Sequence, residues 1–411
     1  MANVTFVDIQ LPSAEKKEGH RLAREPIGLL ELGAFVRQSG NNVDYVVADS
    51  ESDVNKILQN DPDAVGFSTY SYNYPFAAGL AHRIRSVSNA RIAFGGPHAG
   101  MVPEDVLLEN PWIDACIADE GELGFIDFLG GQTGAIRKPR IDMKDIPRAD
   151  RIESLLDNSN FRLLDYENHR TAVVMASRGC TRSCDFCTSR LTGYRAKPLD
   201  SVIGELESLV SDYGVEVVIF EDPLLNGDLR YLEALCDRIA AEYLPLYMIG
   251  VCDFNFGRRP ADILKKMARA GFMQINWGVE DPRQEYRTAL NKKIRLQDDV
   301  LRVARSSGIY NRGLLMLPTN LEAADPVEDV RSYAESLAHL ALDEVKVNVT
   351  TPFPGTPLYD RLDSAGKITE RDWSKYDTHN LVFQAGRWTQ EVVDWGRKYI
   401  VEDFSPSQMN I

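Results

Sequence analysis

The sequence predicts an α/β protein in three parts: an N-terminal doubly wound, Rossmann-like domain, a partial (β/α)6 TIM-like barrel, and a short, mostly helical C-terminal region. Three observations predict it. Short apolar runs alternate with longer amphipathic segments almost throughout the 411 residues, the pattern of parallel sheets crossed by helices. The alternation lapses near residue 131 in a stretch rich in glycine and proline, then restarts at Thr171. The length suffices for two or three cores without disulfide support.

The first block covers residues 1–135. Its strand candidates are residues 4–9, 43–47, 64–68, 91–94 and 115–118, with helices between them at residues 27–38 and 75–87. Leu29, Leu32, Phe35 and Val36 recur at helical spacing. In a small doubly wound sheet, ligands bind beyond the carboxyl ends of the strands. Residues 136–170 form a connector. Gly130, Gly131 and Gly134 lead into it, Pro139 and Pro147 break it, and Lys138, Arg140, Arg148 and Arg151 make it locally basic.

The second block covers residues 171–358. Strand candidates are residues 172–177, 215–220, 246–251, 274–279, 313–317 and 344–350, with helices such as 199–212, 229–242, 260–270 and 297–307. Six βα units in succession make a partial barrel, whose chemistry belongs at the carboxyl ends of the strands. Residues 359–411, with Trp373, Tyr376, Trp388 and Trp395, are expected to be helical and to pack on the barrel.

A net charge of −15 repels phosphates, so nucleic acid is not an expected partner. No apolar run reaches the length that crosses a bilayer, and the first residues resemble a strand rather than a leader. The expected location is the cytoplasm, away from membranes. The chain has six cysteines. Cys116, Cys236 and Cys252 are scattered and suit a core. The other three crowd into Ser177-Arg178-Gly179-Cys180-Thr181-Arg182-Ser183-Cys184-Asp185-Phe186-Cys187, which is no disulfide framework. Cys180, Cys184 and Cys187 can hold three irons of a four-iron cluster, leaving the fourth iron open to chelate a small molecule. Zinc is the alternative and needs a fourth ligand that is not close in sequence.

The C-x3-C-x2-C spacing, Phe186 before the last cysteine and the six βα units resemble the radical S-adenosylmethionine (SAM) superfamily. That resemblance implies a [4Fe–4S] cluster whose open iron binds SAM, and a 5′-deoxyadenosyl radical that removes hydrogen from a carbon of a small-molecule substrate. It also implies an electron donor of the flavodoxin or ferredoxin kind. Phe220-Glu221-Asp222 ends the second strand and Trp277-Gly278-Val279-Glu280 the fourth, where relatives contact SAM. Glu221 and Glu280 are the candidates, each also readable as an ordinary strand-end carboxylate. Leu314-Leu315-Met316-Leu317-Pro318 resembles the family's stretch near the adenine. Lys346 and Asn348, on the polar side of the last strand, are substrate-facing candidates.

Thr351-Pro352-Phe353-Pro354-Gly355-Thr356-Pro357-Leu358-Tyr359 resembles the subgroup that carries an N-terminal cobalamin (B12)-binding domain. So do Pro26-Ile27-Gly28-Leu29-Leu30, Val65-Gly66-Phe67-Ser68-Thr69, Phe94-Gly95-Gly96-Pro97-His98 and Glu120-Gly121-Glu122. By that resemblance Gly95 and Gly96 let backbone approach a corrin, and Ser68 and Thr69 bond its nucleotide tail. There is no Asp-x-His-x-x-Gly motif to supply a histidine to cobalt. The aromatic loop Tyr70-Ser71-Tyr72-Asn73-Tyr74-Pro75-Phe76 suits either a corrin cover or the plug of a site that has lost its ligand. Three outcomes therefore stand: cobalamin-dependent methyl transfer; radical dehydration, deoxygenation or rearrangement of an aminosugar or similar molecule beside a vestigial B12 domain; and a non-catalytic carrier.

Overall fold

The structure is a computed structural model, and it describes residues 1–11, 25–152, 156, 169–191 and 193–403. Much of the connector at 136–170 and the last eight residues lie outside the described residues. The chain forms two compact units, Met1–Thr171 with Asp372–Ser374, and Ala172–Arg371 with Lys375–Ile411.

The first unit is a six-stranded parallel sheet: β1 (Asn3–Ile9), β2 (Asn42–Ala48), β3 (Ala64–Ser68), β4 (Arg91–Gly95), β5 (Ala115–Ala118) and β6 (Gly134–Arg137), in the order β2-β1-β3-β4-β5-β6. Successive side chains point to opposite faces, and here both faces are apolar. Val7, Val65, Phe67, Ile92 and Phe94 share one core with Ala77, Leu80 and Ile84 of the helix Tyr74–Val87. Val4, Phe6, Ala93 and Ile117 share the other with Leu29, Val36, Phe125 and Phe128. A sheet covered on both sides is what continuous apolar runs demand. β6 was not among the sequence expectations. It begins at Gly134, which sits at φ +79°, inside the glycine-rich stretch that was taken to lead into the connector.

The second unit begins with β7 (Thr171–Val174). A two-residue antiparallel ladder follows, β8 (Ser177–Arg178) with β9 (Arg195–Ala196). Then come β10 (Val217–Phe220), β11 (Tyr247–Cys252), β12 (Phe272–Glu280), β13 (Tyr310–Leu317) and β14 (Glu344–Val349). The larger sheet runs β14-β13-β12-β11-β10-β7, strictly sequential, the strand order of a partial barrel. Its helices start and stop on local chemistry. Asp228 caps Leu229–Glu242 and Asp325 caps Pro326–Leu337 through side-chain oxygens on backbone N–H groups. Gly214 and Gly271 end helices in the left-handed conformation. Cys116, Cys236 and Cys252 are all buried and unpaired, as scattered core cysteines should be. In the tail, helices Pro357–Ser364 and Gln390–Lys398 flank a stretch without α-helix. Trp388 donates its indole N–H to Asn320 O at 2.9 Å, within the second unit. Trp373 departs from the expected barrel packing, because it lies against His98 in the first unit with ring centroids 5.1 Å apart.

One buried carboxyl carries a pH signature. Asp222, 1% exposed just after β10, accepts hydrogen bonds from Ala176 N and Ser177 Oγ. Burial outweighs these bonds and pushes its carboxyl up to about 6. A raised folded-state value means that its stabilising share is complete below the unfolded value near 4 and is lost as pH climbs through 6. Urea unfolding of the full chain is expected to lose about 3 kcal/mol from this group between pH 4 and 7. The Asp222→Asn curve should be flatter by that amount. Parallel curves for the two proteins would contradict the assignment.

Candidate functional site

The cysteine loop is built as a closed lobe at the carboxyl end of β7. Its two ends are held by the β8–β9 ladder and by Lys197 N donating to Ala176 O at 2.8 Å. Gly179 opens the loop at φ +78°, a conformation glycine adopts at no steric cost. Inside it, Arg182 N lies 3.3 Å from Cys180 Sγ and Cys187 N donates to Cys184 O at 3.3 Å.

Three other segments then pin the loop. Arg182 pairs with Asp253, beyond β11, at 2.6 Å. Asp253 is fixed in turn by Asn226, whose Nδ2 donates to Asp253 O and whose Oδ1 accepts from Asp253 N. Asp185 N donates to Leu290 O, and Asn291 Nδ2 donates to Ser183 O at 2.9 Å. Leu358 N donates to Asp185 O at 3.0 Å, and Arg361 pairs with Asp185 at 3.3 Å. The proline-rich run that ends at Tyr359 therefore has a visible job. Thr356 caps the helix Pro357–Ser364, and the start of that helix holds the cysteine loop.

Cys180 and Cys187 are half-buried, Cys184 is buried, and all three are free thiols. Burial pushes the Cys184 thiol up to about 12; Lys292 opposes that rise, while Glu280, Cys187 and Cys180 add to it. Burial raises Cys180 as well, and coordination to iron is what would hold such cysteines as thiolates. Among the described residues no three His, Cys, Asp or Glu side chains close around a single ion. Thiolates that each take a different corner of a cluster stand wider apart than the four ligands of one zinc. The donor set therefore fits a [4Fe–4S] cluster, and among the described residues no fourth ligand for zinc is in place.

Glu280 ends β12 beside a register shift and sits at φ +59°. That is an uncommon conformation for a residue with a side chain, and one concentrated at functional sites. Three contacts maintain it. Tyr333 Oη donates to Glu280 O at 2.7 Å, Lys292 Nζ bonds Glu280 Oε1, and Asp281 N donates to Val279 O. A Cβ on Gly278 would lie 2.6 Å from Lys292 Nζ, so glycine is what lets the ion pair lie along the strand. Lys292 went unread in the sequence because only the fold brings it to Glu280. Glu221 follows β10, its N–H on Val174 O. Phe186 is half-buried between Asp185 and Cys187. Thr350 Oγ1 donates to Pro318 O, which ties the end of β14 to the segment after β13. Lys346 is exposed and Asn348 half-buried.

In the first unit the strand order reverses between β1 and β3, the switch point where a doubly wound sheet opens a crevice. The turn after β4 lies against the segment that follows β3, with Thr69 N donating to Gly95 O and His98 N to Thr69 O. Gly96 sits at φ +84°, and a Cβ there would lie 2.7 Å from Thr69 N. Gly95, by contrast, has open space, with nothing nearer than 3.9 Å to a Cβ. Ser68 is half-buried. Thr69 is committed to the turn itself, its hydroxyl donating to Gly95 O at 2.8 Å and accepting from Ala99 N at 3.2 Å. His98 is buried, bonded to Ser71 Oγ at 3.0 Å and stacked on Tyr74. Tyr70 (49% exposed) and Tyr72 (36%) stack on each other at 6.1 Å in the loop that follows β3. Asp8, near the end of β1, is pushed by burial up to about 6 and was also unread in the sequence. A glycine turn with open space and exposed rings fits a large planar ligand.

Comparison with known proteins matches a different family model to each unit. Residues 23–129 match the B12 binding domain model and residues 174–330 the Radical SAM superfamily model. A protein of Pyrococcus horikoshii named as an uncharacterized methyltransferase is 27% identical, over 90% of this chain and 85% of its own length. The anaerobic magnesium-protoporphyrin IX monomethyl ester cyclase of Cereibacter sphaeroides is 24% identical over 81% of this chain and 58% of its own. The fold is shared with the radical SAM methyltransferase TsrM of Kitasatospora setae (TM-score 0.71, 16% identity, 90% of this chain and 79% of that one). It is also shared with the cobalamin-dependent radical SAM enzyme OxsB (TM-score 0.75, 13% identity, 96% and 66%).

Fold and site together define an iron–sulfur enzyme with a corrinoid-type N-terminal domain. The chain belongs to the radical SAM superfamily, in the subgroup with an N-terminal B12-binding domain. Its cofactors are a [4Fe–4S] cluster, SAM and cobalamin. No helix among the described residues is long and apolar enough to cross a membrane.

Proposed function

We propose that the protein transfers a methyl group to a carbon of a small-molecule substrate in a cobalamin-dependent radical SAM reaction. We assign residues 1–135 to cobalamin and 171–358 to the radical chemistry, with 136–170 joining them and 359–411 as the C-terminal region. The observation that carries the reading is the three-cysteine loop, pinned by three segments at the carboxyl end of its sheet. It stands in one chain with a switch-point crevice fronted by Gly95 and Gly96.

Each residue has a task in this reading. Cys180, Cys184 and Cys187 hold three irons and leave one corner for SAM. Glu280, fixed by Lys292 and Tyr333, and Glu221 present carboxylates to the ammonium end of SAM, and Phe186 screens the last cysteine from water. Gly95 and Gly96 admit the corrin, Ser68 bonds its tail, and Thr69 keeps the turn in shape. Bound at these sites, the cofactors supply a 5′-deoxyadenosyl radical and a methyl group. The reducing electron comes from a flavodoxin- or ferredoxin-like protein.

A second reading, radical chemistry without methyl transfer, is favoured by one observation: a cyclase is among the relatives. Product analysis separates the two. Anaerobic incubation with methyl-labelled SAM and extracted cell metabolites is expected to give labelled product, with 5′-deoxyadenosine and S-adenosylhomocysteine in equal amounts. Formation of 5′-deoxyadenosine without S-adenosylhomocysteine would instead establish the second reading.

A further inference from the structure

The chain carries 61 acidic and 46 basic residues, so most cations have an acid to pair with. One group does not. Lys293 and Arg295 are exposed, and neither makes an ion pair or hydrogen bond among the described residues. With Arg287 they line an open depression of about 500 Å³ that also includes Pro282, Gln284, Thr288 and Leu296. Arg287 is only 2% exposed. It bonds Asp281 O and Gln284 Oε1, its Nε has no partner, and no carboxylate neutralises it by contact. Of the acids within electrostatic reach of Arg287, Asp281 is paired with Arg283 and Glu280 with Lys292, and Glu285 is the third.

The position of this depression matters as much as its charge. Lys293 and Arg295 follow directly on Asn291, which donates to Ser183 O, and on Leu290, which accepts from Asp185 N. The unpaired cations thus sit on the segment that braces the cysteine loop from outside. Cationic rims of this kind govern encounter rate and partner choice more than static affinity.

We propose that the depression at 282–296, with Lys293 and Arg295 at its rim and Arg287 in its floor, is the docking surface for an acidic one-electron carrier protein of the flavodoxin class. The proposal rests on the radical SAM reading, since that chemistry needs an electron at the cysteine loop. In the step itself the anionic flavin hydroquinone loses one electron and becomes the neutral one-electron-oxidised flavin. The cluster site gains that electron, no covalent bond forms or breaks, and no proton crosses. An acidic carrier meets repulsion over most of a chain at −15 and attraction here, which orients it beside the cysteines.

The test uses the full chain loaded with cluster and cobalamin, and a bacterial flavodoxin as probe. Titration calorimetry gives the Kd, and stopped-flow absorbance gives the rate of cluster reduction by the flavodoxin hydroquinone. No substrate is present, so failure of the methyl-transfer reading leaves these readouts intact. Lys293→Glu/Arg295→Glu is expected to weaken binding about tenfold or more and to flatten its salt dependence. It should slow reduction by flavodoxin while leaving reduction by dithionite unchanged. Lys398→Glu, an exposed reversal in the C-terminal helix, should behave as wild type. Two results would overturn the proposal: a Kd for the double variant within twofold of wild type, or displacement of flavodoxin by inorganic phosphate where chloride of equal ionic strength has no effect. The second would make the depression a small-anion site.

Discussion

Cys184→Ala, purified without oxygen and reconstituted with iron and sulfide, is expected to fall from about four irons per chain to less than one. Its 5′-deoxyadenosine formation should drop to the level seen without enzyme. The size of the effect follows from where Cys184 lies. It is the most buried of the three cysteines and lies within electrostatic reach of both Lys292 and Glu280, at the junction of the metal and SAM parts of the site. Alanine there leaves two thiolates on adjoining loop segments, too few to retain a cluster that already has one open corner. Cys236→Ala is the control: the residue is a buried cysteine of the helix Leu229–Glu242, so the variant should keep its iron and lose only packing energy. A Cys184→Ala protein that still binds four irons and still cleaves SAM would remove the cysteine assignment.

Gly96→Val is expected to abolish cobalamin binding while leaving iron content unchanged. Two costs combine at this position. The backbone sits at φ +84°, where a residue with a side chain pays about 1–2 kcal/mol, and a β-branched one more. The added Cβ would also lie 2.7 Å from Thr69 N and 2.9 Å from Thr69 O. Those are backbone atoms in a turn already fastened by Thr69 N on Gly95 O and His98 N on Thr69 O, so they have nowhere to go. The turn must open, and the crevice loses the surface that faces the ligand. Gly28→Ala gives the comparison, because nothing lies within 4 Å of a Cβ there and its helix should tolerate alanine or gain from it. Equilibrium dialysis with cobalamin reads both variants. Wild-type affinity in Gly96→Val would show that this turn is not the cradle.

The candidate sites that are local in the chain were readable in the sequence, and the contacts made by folding were not. Three cysteines within eight residues declare themselves, because their ligand function needs only their spacing. Gly96 of Phe94-Gly95-Gly96 does so too, because its left-handed conformation is a property of the turn. Strand runs such as Ala64–Ser68 and Ala115–Ala118 were legible to the residue, since a doubly covered strand is apolar from end to end. Lys292, Asn291 and Asp253 were not legible. Each is an ordinary polar residue until β11 and β12 bring it against the cysteine loop or Glu280. β6 was hidden by its glycines, and the position of Trp373 by its membership of a tail that otherwise packs with the second unit. Thr69 was noticed for a ligand, and its hydroxyl turns out to be bonded within the turn.

One absorption spectrum of the protein isolated and reconstituted under strict anaerobiosis, followed by addition of dithionite and SAM, addresses the central claim most directly. The account predicts a broad band near the visible edge from the cluster together with the sharper bands of a bound corrinoid. It also predicts loss of the cluster band on reduction and release of 5′-deoxyadenosine. A colourless protein holding one zinc per chain, with SAM left intact after reduction, would contradict it.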